Sequence, residues 1–150
     1  MKSRILLSVL SGTLLCLASA AQASPESDAN KKLVTDAVTM LFIQHKVDQA
    51  VDTYFDPNYI QHNPLVPTGS APMRGFFKQF YVDHPDSTIE ISHVLADGDL
   101  VAVHYRFKMG AQDRGMAVVD IFRVSNGHIQ EHWDVGQPVP EKSANSNGMF

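Results

Sequence analysis

Three side chains towards the C-terminus have the chemistry to move a proton: Asp120, His132 and Asp134. They lie in two runs of alternating character, Met116 to Val124 and His128 to Gly136, separated by Ser125-Asn126-Gly127. Such runs predict a β-hairpin, and its register decides which side chains share a face. A two-residue Asn126-Gly127 turn sets Asp120 opposite Trp133. A three-residue turn, with Gly127 as a left-handed bulge, sets it opposite His132. The bulged form is the expected one. It gathers Val118, Asp120, Phe122, His132 and Asp134 on one face and sends Val119, Ile121, Arg123, Glu131 and Trp133 to the other.

Burial among apolar groups disfavours an ionised carboxylate, and a second acid nearby disfavours it further. A carboxylate in that setting can take a proton from an activated carbon and return it elsewhere. A neighbouring His can orient it or relay the proton. Asp134 is expected to move the proton, with Asp120 and His132 tuning it and Phe122 supplying apolar wall. The competing reading is structural: Asp120 and Asp134 are satisfied by backbone amides, or by Arg106 and Arg123, and serve the fold alone. By spacing alone that outcome is the commoner one.

Two further positions are candidates for holding a ligand oxygen. His62, flanked by Gln61, Asn63 and Pro64, sits where helical character gives way to extended chain. The hydrogen-bonding groups at three adjacent positions, Gln61, His62 and Asn63, either point into a cavity mouth or belong to a turn in which Asn63 bonds its own backbone. His104 lies on a strand whose alternate positions are Val101, Val103, Tyr105 and Phe107, and faces either the cavity or solvent. His45, His84, His93 and His128 are read as structural.

Other chemistries find little footing. The His spacings match no helical zinc motif, and His62, His104 and His132 are isolated, so no metal is expected. There is no Gly-x-Ser-x-Gly elbow, no phosphate-cradling glycine loop and no dinucleotide fingerprint, so no cofactor is expected.

These groups must be positioned by a scaffold of α+β type. Leu33, Val34, Ala37, Val38, Leu41 and Phe42 form a helical stripe from Lys31 onward, after a polar leader, Ser24 to Asn30, expected to fray. A second helix is predicted over Val47 to Phe55, stopped by Asp56-Pro57-Asn58. Tyr59 to His62 is a short extended piece. A third helix runs from about Ala71 to Tyr81, with Ser70 as its N-cap. Strands follow at Thr88 to Ala96, Leu100 to Met109, Met116 to Val124 and His128 to Gly136, and Ser143 to Gly148 reads as a mobile tail. Helices first and a meander afterwards predict helices packed on one face of an antiparallel sheet, with a blind pocket between them.

The first 23 residues read as an address. Lys2 and Arg4 precede an apolar stretch from Ile5 to Leu17, and Ala21-Gln22-Ala23 fits a cleavage site. Cleavage there leaves residues 24–150 as one domain and removes Cys16, the sole cysteine, so no disulfide is available. It also removes two basic residues and no acidic ones, taking the formal charge from −4 to −6. That balance excludes a nucleic-acid surface, which needs clustered Lys and Arg. The expected product is periplasmic or secreted and off the membrane.

Several segments resemble the SnoaL-like polyketide cyclases: Tyr59-Ile60-Gln61-His62-Asn63-Pro64, Val118-Val119-Asp120-Ile121-Phe122-Arg123-Val124, and Glu131-His132-Trp133-Asp134-Val135. The closing Gln137-Pro138-Val139-Pro140 and the tail from Asn145 to Phe150 are similar to a bacterial SnoaL-like aldol-condensation subgroup. The resemblance implies a cone-shaped fold of the nuclear-transport-factor-2 type, often dimeric through the outer sheet face. It also implies cofactor-independent acid/base chemistry, an aldol-type cyclisation or isomerisation, on a small hydrophobic carbonyl compound. By motif, Asp134 matches the family's pocket Asp. Asp120 matches another pocket position, and His62 with Asn63 matches polar groups at the mouth. The alternative is a non-catalytic ligand-binding or interaction module of the same fold.

Overall fold

The computed structural model describes residues 24–150; the signal peptide read at 1–23, with Cys16, lies outside them. Helix α1 spans Pro25–Val38 and runs on through a π turn at Thr39–Ile43. Then come α2 (Val47–Tyr54), β1 (Phe55–Gln61), α3 (Ser70–Asp83), β2 (Thr88–Asp97), β3 (Leu100–Lys108), β4 (Met116–Ser125) and β5 (His128–Pro138). The strands form one sheet in the order β1-β5-β4-β3-β2. The helices cover its inner face. There Val101, Val103, Phe122, Val124 and Ile129 pack against Val34, Val38, Leu41, Ala50, Val51 and Met73. Among the described residues, no helix is long and apolar enough to cross a membrane.

Four expectations are corrected. The segment Ser24 to Asn30 does not fray. Ser24 caps α1 by accepting from the Ser27 amide, Pro25 occupies the first turn, where a missing amide costs nothing, and Glu26 and Asp28 face the positive helix end. This polar turn is tied down because Ser27 Oγ accepts from the Gly98 amide and Asn30 Nδ2 donates to the Gly98 carbonyl, each at 3.0 Å. Apolar periodicity is blind to a turn held by hydrogen bonds.

Ser70 is no N-cap. Gly69, at φ 92°, holds that position, and Ser70 Oγ donates instead to the Pro57 carbonyl. The sheet is mixed rather than antiparallel, since β1 joins the edge parallel to β5. Pro57 is tolerated because the strand lies at the edge and its ladder is interrupted between Phe55 and Ile60.

The β4–β5 hairpin has neither expected register. Asn126 (φ 51°) and Gly127 (φ 74°) make a two-residue turn, with Ser125 opposite His128. The bulge comes later: Val124 pairs with Ile129 and Arg123 with Glu131, so Gln130 is the extra residue. The shift carries Asp120 opposite Asp134, Phe122 opposite His132 and Ile121 opposite Trp133. Moving the bulge from the turn into the strand leaves the parity of faces unchanged. Asp120, Phe122, His132 and Asp134 therefore still share the inner face.

Candidate functional site

Asp120 is carried on the middle strand of the sheet and is 1% exposed. A buried carboxylate needs partners on both oxygens. Tyr105, on neighbouring β3, donates its hydroxyl to Oδ2 at 3.0 Å, and His132 Nε2 stands 3.3 Å from Oδ1. His132 is itself buried, at 7% exposure, and its ring leans on Phe122.

The parallel edge strand lays Gln61 beside His132. Gln61 Oε1 accepts from the Asn63 backbone amide at 2.9 Å, which orients the Gln61 amide, since a backbone N–H can only donate. The same oxygen lies 2.7 Å from His132 Nδ1, so Nδ1 carries a proton. Gln61 Nε2 donates in turn to Tyr59 Oη. His132 Nε2, on the other side of the ring, is thereby set beside Asp120 Oδ1, an imidazole and a carboxyl buried next to each other.

Asp134 differs. It is half-buried, Asn63 Nδ2 donates to its Oδ2 at 2.5 Å, and its other oxygen has no hydrogen-bond partner among the described residues. Asn63 is itself braced, because its Oδ1 accepts from the Leu65 amide. Asp134 lines a cavity of about 320 Å³ together with Asp120, His132, Gln61 and Asn63. The remaining walls are mostly aromatic and apolar, Phe76, Phe77, Phe80 and Phe107 among them, with Met109 and Met116. A smaller hollow of about 20 Å³ lies between Phe122, Tyr59, Gln61 and His132, enough for one water-sized group.

The expected site residues therefore divide. Asp120, His132, Asp134 and Asn63 are brought together on the cavity wall. Phe122 is beside them but lines only the smaller hollow. His62 turns away: it pairs with Glu131 at 2.8 Å and stacks on Trp133 with ring centroids 4.8 Å apart. That contact, followed by the one with Arg123, holds the Glu131 carboxyl below the usual carboxylate range. His104 stands on the outer sheet face, because Val101, Val103 and Tyr105 take the inward positions of β3. Of the three adjacent polar positions expected at the mouth, Gln61 and Asn63 face the cavity and His62 does not. Tyr59 and Tyr105 are the members that sequence reasoning missed. Asp120, His132 and Asp134 also offer ligand atoms that all lie within 4.8 Å of one another, close enough to hold a metal ion.

Burial, followed by the charges of Asp120 and Asp134, pushes the Tyr59 phenol far above its ordinary value. Burial and then Asp120 do the same to Tyr105, and burial alone to Tyr81. Unfolded phenols ionise near pH 10, roughly. A folded state that retains those protons is fully stable below that pH and loses stability above it. Each phenol should cost about 1.4 kcal/mol per pH unit, and the three together about 4. Urea midpoints should fall steeply between about pH 10 and 11, and Tyr81→Phe should remove about a third of the slope. Tyr81 Oη has no hydrogen-bond partner, so this change should cost nothing at neutral pH. A flat midpoint across that range would refute the argument.

Comparison with known proteins gives the same picture of the fold. The model of the SnoaL-like domain family matches residues 34–132. A candidate polyketide cyclase from Acidithiobacillus ferrooxidans superposes with TM-score 0.60 at 21% identity, over 76% of this chain and 91% of that one. A candidate ketosteroid isomerase from Kribbella flavida gives 0.64 at 16% identity, over 80% and 86%. An NTF2-like protein of unknown function from Cytophaga hutchinsonii gives 0.61 at 15% identity, over 73% and 90%. No curated protein matches the sequence.

Proposed function

This chain belongs to the SnoaL-like domain family and has its NTF2-like α+β fold, and from that premise we propose that it is an acid/base catalyst acting on a small hydrophobic carbonyl compound. One observation carries the reading. Asp134, a carboxylate with one oxygen that has no hydrogen-bond partner among the described residues, and the buried neighbours Asp120 and His132 line the same aromatic-walled cavity. In this scheme the free oxygen of Asp134 takes a proton from the carbon next to the substrate carbonyl. The electron pair moves onto the carbonyl oxygen, and a proton from Asp120 or His132 neutralises it. The enolate carbon then either attacks a second carbonyl, an aldol closure, or is reprotonated elsewhere, an isomerisation. Protein side chains supply every proton. Candidate cyclases and a candidate isomerase among the structural neighbours are in keeping with both outcomes.

2-Tetralone, a bicyclic ketone with acidic α-protons, is a suitable probe. The protein in D2O should accelerate loss of the α-proton NMR signals well above buffer, and the ketone should raise the melting temperature. Stabilisation without exchange would favour the non-catalytic binding module.

Export is part of the proposal. Its support is the N-terminal pattern, in which a basic start, an apolar stretch and small residues at the cleavage position follow one another. So is a homodimer. Ile121 and Val135 on the outer sheet face are exposed, Val135 at 71%, beside Val119 and Trp133. Val135→Glu should convert a dimer to a monomer in sedimentation; an unchanged mass would place the contact elsewhere or remove it.

A further inference from the structure

The cavity has an apolar rim left in water. Leu65, Met109 and Met116 line it, yet they are 81%, 46% and 37% exposed. They come from three separate segments: the loop after β1, the chain just past β3 and the start of β4. Single apolar side chains in water are ordinary, whereas several gathered at one opening mark a site. Strand alternation brings two of them there. Tyr105 and Phe107 point inward on β3, and Met109 is the next inward position. Met116 is the cross-strand partner of Phe107 and extends the inner face of β4 beyond Val118. Neither side of the rim is slack. Asp113 accepts from the Met109 amide at 3.0 Å and from the Gly115 amide at 2.9 Å. The Leu65 amide donates to Asn63 Oδ1 at 2.8 Å, and Asn63 is the residue bonded to Asp134.

Gly136 keeps the opening clear. It lies two residues along β5 from Asp134, on the same inner face and opposite Val118. It is not one of the glycines with positive φ, so its backbone would accept other residues. Space is what asks for glycine: a Cβ there would stand 3.0 Å from the Met116 methyl carbon and 3.6 Å from Val118 Cγ2. Without it, Met116 lies back against β5; with it, the thioether must lift into the opening. Volume sets a limit on what fits inside. An apolar hollow of about 150 Å³ takes one benzene ring, so a cavity of about 320 Å³ holds a bicyclic group with little to spare. A ligand confined to that space leaves all three rim side chains in water. We infer that the ligand is longer than the cavity: its carbonyl end lies at Asp134, and a slim, uncharged alkyl tail leaves past Met116, Met109 and Leu65. The inference rests on the reading of Asp134 as the carbonyl end. Methionines adapt to irregular apolar contacts, which suits a flexible chain. Phe76, Phe80, Phe107 and Val118, elsewhere in the wall, offer it no hydrogen bond.

2-Tetralones bearing a 6-alkoxy chain are the probes, since the bicycle fills the cavity and the chain has to leave it. In calorimetric titration of the full chain, affinity should rise about tenfold or more from 6-methoxy- to 6-hexyloxy-2-tetralone, complete burial being worth roughly fourfold per methylene. Leu65→Ser and Met109→Ser should each take back about fourfold of that gain. Gly136→Val should weaken the hexyloxy compound more than the methoxy one. Equal or weaker binding of the longer compound would overturn the inference, because the chain would then have no way out. So would a gain that survives Leu65→Ser and Met109→Ser together. A change of mass in sedimentation on Leu65→Ser would also overturn it, by giving the rim to a second copy. α-Proton exchange is followed on the same compounds. Exchange without the chain-length gain removes this inference alone; the gain without exchange removes the catalytic scheme and leaves the exit in place.

Discussion

Asp134→Asn should lower the rate of α-proton exchange from 2-tetralone by about 100- to 10,000-fold, the span that a positioned general base contributes. The substitution preserves shape, and a rotated side-chain amide still offers its oxygen to Asn63 Nδ2, which now bonds Asp134. It removes the one group that can accept a proton at the cavity wall without breaking an existing bond. Ketone binding should therefore survive, and the loss should appear in kcat with KM nearly unchanged. Asp120→Asn is the informative comparison. Both Asp120 oxygens are engaged, by Tyr105 and His132, and the residue is 1% exposed. In the proposed scheme it assists at the carbonyl oxygen and does not abstract the α-proton, so its replacement should cost less than that of Asp134. The reverse order would move the base to Asp120 and sink the assignment made here.

The difference between the two aspartates was only half legible in the sequence. Alternation along β4 and β5 sorted Asp120, His132 and Asp134 onto one face, and the helical stripes placed a lid of apolar residues over it. Those are local patterns. The position of the bulge was not local. Asn126-Gly127 supports a tight turn, and the slip occurs at Gln130, whose side chain donates to Asp56 from the β1 edge. Parity of faces survived the mistake because either placement inserts one residue; the exact cross-strand partners did not. The partner of Gln61 was hidden for a related reason. Its contact with His132 comes from β1 lying parallel to β5, a long-range pairing that no spacing within Tyr59 to Asn63 encodes. His62 drew attention by residue type, yet in an extended strand successive side chains alternate, and only Gln61 and Asn63 could face inward with each other. His104 met the same fate, with Val103 and Tyr105 buried on either side of it.

The second large effect concerns stability. His132→Ala should destabilise the fold by about 3–5 kcal/mol, the usual cost of stripping one partner from a buried ionisable pair. Asp120 would keep only the Tyr105 hydroxyl, with Asp134 directly opposite on β5 and the imidazole gone from its other oxygen. Gln61 Oε1 would lose its His132 donor as well, although the Asn63 amide would still hold it. Asp120→Asn should be far milder, about 1 kcal/mol or less. Its amide can accept from Tyr105 through oxygen and donate through nitrogen to His132 Nε2, provided that His132 carries its proton on Nδ1. The pair of substitutions thus tests the proton placement as well as the energy. Urea unfolding of the two single variants and the double variant gives the coupling, expected at about 2 kcal/mol. If Asp120→Asn proved as damaging as His132→Ala, the amide would be unsatisfied at Nε2, and the placement of the His132 proton on Nδ1 would fall.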